Sequence, residues 1–513
     1  VSVRRWLLLL SIILVTGLAG ACTGAPTPSA SGRSDNTAMV LAEPVEPTSL
    51  NPLSGYAPNG SAKIFDGLYE HQTDGTLRPV LASAAPVPSA DGKSWTVTLR
   101  NGIHFSDGTP FAAVDVLATY RALINPAFAA PVRADYSMLT GVDEVGTSTI
   151  RFDLAYPYAP FPDRLVLGIV PATSLATVEP VGQLPTAVGT GPYTLVSWTK
   201  GSQLTLAANP LYPTVLGGPP KVKRVVVEFV PNDTDRAARL HAGKLDGAAL
   251  APTQAATFAH TNGFSVLTDH SADLRAVQLP PHGPVTGDPA IRLALNHAVD
   301  RNALAAAVGT PAPTPMPAAL PEFVEPSATF TTNQDQARTA LLQAGWIANT
   351  DGGRSKEGVA AAFTLDYPTG DAVDKALASA FATYASAIGI TVAIAAVPPT
   401  ALSAKATTDA TLISTGNPFD PDFALYPLLV PGDPAVNAAL ETGRHTIDPA
   451  QRSVAYRQFQ HAYVADPAMV CLVFVDHTYV MRDNWTGYTQ VTDAASQGVT
   501  WGPWWNLAAW TPR

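Results

Sequence analysis

Bond-making chemistry needs particular side chains at particular spacings, and this sequence holds few of them. Its 513 residues contain no Gly-x-Ser-x-Gly nucleophile turn, no Walker A phosphate loop, no His-Glu-x-x-His helix and no Cys-x-x-Cys pair. The ten histidines are scattered, and His241, His260, His270 and His282 show no ligand spacing, so neither a metal site nor a cofactor is expected. Gly189-Thr190-Gly191-Pro192 resembles a nucleotide loop only superficially, because Pro192 lacks the backbone N–H that such a loop uses. Of the two cysteines, Cys471 sits in the apolar run Met469–Val475 and reads as a core thiol on a strand. What remains is recognition by charge, hydrogen bonds and stacking, and no enzyme is expected.

Composition narrows the partners. The 41 acidic and 31 basic residues leave a net charge of −10 with no basic stripe, which argues against nucleic acid. At 513 residues and 46% hydrophobic, the chain is too long for one ordinary core.

The second cysteine has a different setting. Arg4 and Arg5 precede the apolar stretch Trp6–Val15, and small residues follow as far as Leu18-Ala19-Gly20-Ala21-Cys22. A basic start, a short apolar run and a small-residue exit predict a secretory signal over residues 1–21, too short for a comfortable membrane span. The exit resembles the lipobox of bacterial lipoproteins, although Ala19 stands where leucine is commoner. On that resemblance Cys22 is the lipidation site, and acyl chains would hold the protein at the outer face of the cytoplasmic membrane. Residues 22–37, rich in Gly, Pro, Ser and Thr, read as a flexible tether. With Cys22 lipidated, Cys471 has no disulfide partner.

The elements that would position a site mix strand and helix. Trp95–Arg100 alternates apolar and polar residues, between Asp91-Gly92 and Asn101-Gly102, and predicts a hairpin continuing to Ile103-His104-Phe105. Thr109-Pro110 reads as a cap and first position for a helix with Ala113, Leu117, Tyr120 and Ile124 on one face. Val225–Val230 and Ile390–Val397 read as strands. Asp233–His241, a helix from Asp288 to Gly309, Gln334–Ala344 and Asp371–Ile388 read as helical, and 310–321, with five prolines, as a loop. The pattern predicts a mixed α/β protein of more than one lobe.

Several segments resemble, in chain order, the peptide/nickel-type solute-binding proteins, bacterial extracellular family 5. They include Asn51-Pro52-Leu53, Ile64–Glu70, Arg78–Ala82, the long stretch Asp91–Phe111 and Gly189-Thr190-Gly191-Pro192-Tyr193. Further matches are Asn209-Pro210-Leu211-Tyr212, Ile291–Arg301, Leu341–Trp346 and Tyr456–Gln460 through Asp466-Pro467. The resemblance implies a two-lobed fold of the type II periplasmic-binding-protein kind, with a third subdomain inserted in the first lobe and a ligand cleft between lobes. The first lobe would take residues 38–275 plus 480–513, with the insertion at about 57–185, and the second 276–479. Crossings near Ala276-Val277-Gln278 and Val475-Asp476-His477 would form the hinge.

The resemblance also implies a function: a monomeric lipoprotein that captures a small solute, peptide or otherwise, and delivers it to ABC permease subunits. The alternative is a member that has left transport for a regulatory or scaffolding role in envelope assembly. Ser414–Asp422 is similar to the cleft loop of peptide-binding members, where an Asp three residues before an acidic–Pro pair meets the ligand's α-ammonium. Aligned on Asp420-Pro421, that position is Asn417. Losing a charge-assisted hydrogen bond of about 1.5 to 3 kcal/mol weakens the case for a free amino terminus, unless Asp420 or Asp422 takes the role. Asn417, Phe419, Asp420, Asp422 and Tyr56 are the expected ligand-binding residues. Most of the tryptophans between Trp501 and Trp510 are expected to pack the first lobe.

Overall fold

The computed structural model describes residues 38–175, 187–494 and 498–513. The signal, the tether and Cys22 lie outside them. Residues 37–513 form one compact unit, built on two sheets that exchange the chain twice.

The first sheet has seven strands in the order Phe264–Asp269, His477–Arg482, Gly247–Ala249, Ala38–Glu43, Arg224–Phe229, Gln203–Ala208 and Tyr193–Thr199. Its middle strand, Ala38–Glu43, runs parallel to both neighbours. A strand covered on both faces must be apolar throughout. Met39 and Leu41 join the core formed with Val225 and Val227, while Val40 and Ala42 face Leu240 and Leu245 on the other side. The helix Asp233–His241 beside it starts where Asn232 accepts a hydrogen bond from the Asp235 N–H at 3.0 Å.

The second sheet has six strands: Gly309–Pro311, Met469–Val475, Leu274–Gln278, Ala410–Thr415, Ala362–Pro368 and Thr391–Val397. Helices cover both faces. Val470 and Leu472 look toward Ile291, Leu295 and Phe381, whereas Met469 and Cys471 look toward Tyr456 and Phe459. The expected helix from Asp288 to Gly309 is two helices, Pro289–Ala298 and Arg301–Val308. Asp300 breaks the run because its carboxylate accepts from the Ala303 N–H and starts the second helix.

Between strands Ala38–Glu43 and Tyr193–Thr199 the chain builds a four-stranded antiparallel sheet: Val87–Pro88, Ser94–Thr98, Thr149–Leu154 and Leu139–Gly146. The Asp91-Gly92 turn does join a hairpin, but the partner is Val87–Pro88; Ile103–Phe105 does not pair with Ser94–Thr98. Thr109-Pro110 does not cap the following helix, Ala113–Ile124. Asp115 does so instead, accepting from the Ala112 N–H at 2.9 Å.

The chain passes from the first sheet to the second between Asp269 and Leu274, and returns at Asp476. Leu274–Gln278 already belongs to the second sheet and His477–Arg482 wholly to the first, so the first crossing is upstream of Ala276. The tail is tryptophan-rich core: Trp485, Trp504 and Trp510 are buried with the first sheet. Trp504 and Trp505 lie at the end of a single 3-10 turn rather than on a strand.

Cys471 is fully buried and its thiol is pushed up to about 11 by burial, against the Tyr463 hydroxyl and Arg301 that favour the thiolate. Iodoacetamide at pH 8 is therefore expected to leave Cys471 unmodified in the folded chain and to alkylate it in urea, read by peptide mass spectrometry. Labelling at equal rates in both states would contradict this burial.

Candidate functional site

The two crossings lie in the wall of a cavity of about 1110 Å³ between the lobes. The first lobe contributes the end of strand Ala38–Glu43 and the loop after it, the start of helix Asp233–His241, and His477–Tyr479. The second contributes Arg275 and the start of the helix Ala372–Ala387. The volume is just above the range of about 300–1,000 Å³ usual for small-molecule pockets.

A polar chain ties the lobes together along this wall. His477, the first residue of its strand, bonds Asp493 through Nδ1 at 2.8 Å and Asp273 through Nε2 at 3.1 Å. Tyr479 donates its hydroxyl to the same Asp493 carboxylate. Asp273 accepts in turn from Arg275 at 2.9 Å and from the Ser414 hydroxyl at 2.6 Å, and Arg275 reaches Asp374 at 3.0 Å. Burial disfavours a charged imidazole, but the two carboxylates outweigh it and push His477 up to about 10. The same partners overcome burial at Asp273 and hold its carboxyl below the usual range. Asp374 is raised to about 6 by burial, with Arg275 opposing.

Glu43 ends the middle strand of the first sheet and turns its carboxyl to the cavity. It is 5% exposed, and burial raises it to about 8 despite Arg236 and the Trp504 indole, with Asp493 adding to the rise. Its Oε1 has no hydrogen-bond partner among the described residues, and neither does the Tyr56 hydroxyl, which lines the same cavity.

Of the residues expected from the sequence, Tyr56 alone lines this cavity. Asn417, Phe419, Asp420 and Asp422 do not. Asn417 closes a turn, its Oδ1 accepting from the Phe419 N–H at 2.9 Å, while its Nδ2 donates to Asn59 of the first lobe at 3.3 Å. Phe419 stacks on His71 with centroids 3.6 Å apart and meets the edge of Trp501. Asp420 is paired to Arg452 through both oxygens at 2.7 Å. Asp422 pairs with Arg444 at 3.2 Å and accepts from Tyr158 of the inserted subdomain at 2.6 Å. Burial raises Asp422 even so, with Arg444 opposing. The loop is thus an interlobe contact whose two carboxylates are engaged by arginines.

Glu43, Asp273, Arg275, His477 and Asp493 were not expected. Their sequence signals are faint: an acid closing an apolar strand in Ala38–Glu43, and a charged pair, Asp476-His477, after an apolar run. What makes them a set is that segments some 200 residues apart meet, as in the 204-residue separation of Asp273 and His477.

Comparison with known proteins bears on fold and family. The model of the bacterial extracellular solute-binding proteins, family 5 (middle), matches residues 76–435. Protein XP55 of Streptomyces lividans is 41% identical over 470 residues, covering 88% of this chain and 86% of that one. The oligopeptide-binding protein AppA of Bacillus subtilis is 26% identical over 414 residues, 75% of each chain. Among solved structures, NikZ from Campylobacter jejuni in complex with Ni(L-His) superposes with a TM-score of 0.83 at 24% identity, covering 93% of this chain and all of that one. That last likeness is one of fold.

Proposed function

The chain belongs to the bacterial extracellular solute-binding proteins of family 5, and on that premise we propose that it is the solute-capturing component of an ABC importer. It holds a small solute between its lobes and hands it to a membrane permease, tethered outside the cell through Cys22. The observation that supports this reading is the cavity itself. Its walls come from both lobes, and the only two crossings among the described residues run beside it. A solute that touches both walls therefore binds the closed arrangement more tightly than the open one and shifts the balance toward closure. The permease then distinguishes loaded from empty protein by shape.

The named relatives are an oligopeptide-binding protein and, among others, a nickel-binding and a glutathione-binding one. A cavity of this volume suits a short peptide or a compact solute of similar size. Capture needs no covalent step.

Native mass spectrometry of the full chain, purified gently and then unfolded to release what it carries, tests the reading. A co-purifying small solute, whose return raises the melting temperature of the emptied protein, is the expected result. An empty chain that no peptide, sugar or metal complex stabilises would overturn it in favour of a regulatory lipoprotein of the same fold.

A further inference from the structure

The interlobe cavity is strongly acidic. Seven carboxylate side chains line it against three cationic ones, Arg236, Arg275 and His477. All three cations are engaged within the protein. Arg236 pairs with Asp233 at 2.7 Å and donates to the carbonyls of Val230, Pro231 and Ala249. Arg275 is held by Asp273 and Asp374, and His477 by Asp273 and Asp493.

Most of the acids are engaged as well. Glu46 accepts from the Trp198 indole and the Gly201 N–H, Asp371 caps its helix at Val373, and Asp476 meets His270. Glu43 is the exception. It makes no ion pair within 4.0 Å among the described residues, it is 95% removed from solvent, and its Oε1 is unpartnered, with the neutral Trp504 indole as the one donor beside the carboxyl. The Tyr56 hydroxyl is a second unpartnered buried oxygen in the same cavity wall. A buried polar atom without a partner costs about as much as a lost hydrogen bond, and two of them stand in the wall of one cavity.

We propose that Glu43, with Tyr56 beside the same cavity, is the recognition site for a cationic, donor-rich group of the solute, a primary ammonium or a guanidinium. The assignment rests on the solute-receptor reading above and moves the ligand's charge recognition from the Asn417–Asp422 loop of the second lobe to the first strand of the first. Neutral Asn417 and the arginine-paired Asp420 and Asp422 then require no compensating explanation: the counter-charge is supplied from the opposite wall.

The site also predicts a proton balance. The groups facing Glu43 are Arg236 from the helix, Asp493 and the Trp504 indole from the tail, and Tyr479 from strand His477–Arg482. At neutral pH in the empty cavity the carboxyl is mostly protonated. An arriving cation favours the carboxylate, so the Glu43 proton passes to the buffer as the solute binds.

The test uses the full chain and its Glu43→Gln variant, with tri-alanine, N-acetyl-tri-alanine and agmatine as probes alongside whatever co-purifies. Gln keeps shape and removes the charge. Binding of an ammonium- or guanidinium-bearing solute is expected to weaken about ten- to a hundredfold in the variant. Calorimetry at pH 7 in phosphate and in Tris is expected to show proton release for the wild type and none for the variant. Stability is expected to move the other way. Glu43 titrates near 8 folded and near 4.5 unfolded, so its contribution is present below about 4.5 and is lost as pH rises to about 8. The variant should escape that loss and melt higher than wild type at pH 8, which separates lost recognition from lost folding. If a solute binds but is neutral or anionic, or if Glu43→Gln leaves a cationic solute's affinity unchanged, this assignment fails while the receptor reading stands. If no solute binds the wild type, both fail.

Discussion

Asp420→Ala is expected to destabilise the second lobe by about 3–5 kcal/mol, the usual cost of removing one partner from a buried ion pair. Arg452 is the reason. Its guanidinium is nearly enclosed, meets both Asp420 oxygens at 2.7 Å, and donates from Nε to the Gly443 carbonyl at 2.9 Å. Without the carboxylate a charge would stay buried between Phe323 and Tyr456 with a single carbonyl and one hydroxyl to face. Asp420 also accepts from the Asp422 N–H at 2.8 Å, so the turn that starts helix Asp422–Leu429 loosens as well. Urea unfolding followed by tryptophan fluorescence measures the change. In the double variant Asp420→Ala, Arg452→Met most of the loss should return, because no stranded charge remains. A loss in Asp420→Ala below about 1 kcal/mol would show that the pair is solvated. Since Asp420 does not line the cavity, solute affinity in the folded fraction is expected to change little, the opposite of what a ligand-contacting acid would show.

Phe419→Ala is expected to shift the balance of open and closed forms by about 2 kcal/mol or more toward open, on the order of thirtyfold. The ring leaves the second lobe and lies in a pocket of the first made by His71, Trp501, Val491 and Ala494. Its burial therefore depends on the lobes being together, unlike that of a core residue. His71 is fixed under it by Asp163 at 3.0 Å and the Asn59 carbonyl at 3.1 Å, so the stacking surface is preformed. Spin labels on the two lobes, at exposed Val196 and Val454, report the change as a longer mean distance without a fall in the melting temperature of either lobe. An unchanged distance distribution would mean that the hinge chain of His477, Asp273 and Arg275 alone sets closure.

The contrast between these two neighbours shows what could be read in the sequence. The loop from Ser414 to Asp422 was legible as a cleft loop only through its resemblance to that of peptide-binding members. Which oxygens would be free was not legible. Arg452 and Arg444 lie on helices whose faces are set by tertiary packing, and an arginine 32 or 22 residues downstream carries no local sign of its partner. Caps and periodicity located the helices Asp233–His241 and Ala372–Ala387 to within a residue or two, because those signals are local. The split at Val299-Asp300 was missed because an Asp reads equally well inside a polar helix face and as a new cap. Glu43 was hidden for the same reason as the hinge set: one acid after five apolar residues says that a strand has ended, not which cavity it ends in.

The order of strands in the first sheet has a consequence for how the molecule is made. Ala38–Glu43 is the first strand to leave the ribosome and His477–Arg482 the last of the sheet, yet only Gly247–Ala249 separates them. Lobe two, residues 274–475, is synthesised whole between those events and its six strands are all local to it. It can therefore fold while the first sheet still lacks its penultimate strand and the tryptophans that cover Met39 and Leu41. Released chains truncated just after Val475, which keep Met469–Val475 and lack His477–Arg482, should display a finished second lobe on an unfinished first one. Maturation of the first lobe waits on residues 477–510, so a frameshift just before them would be as damaging to strand Ala38–Glu43 as to those residues themselves.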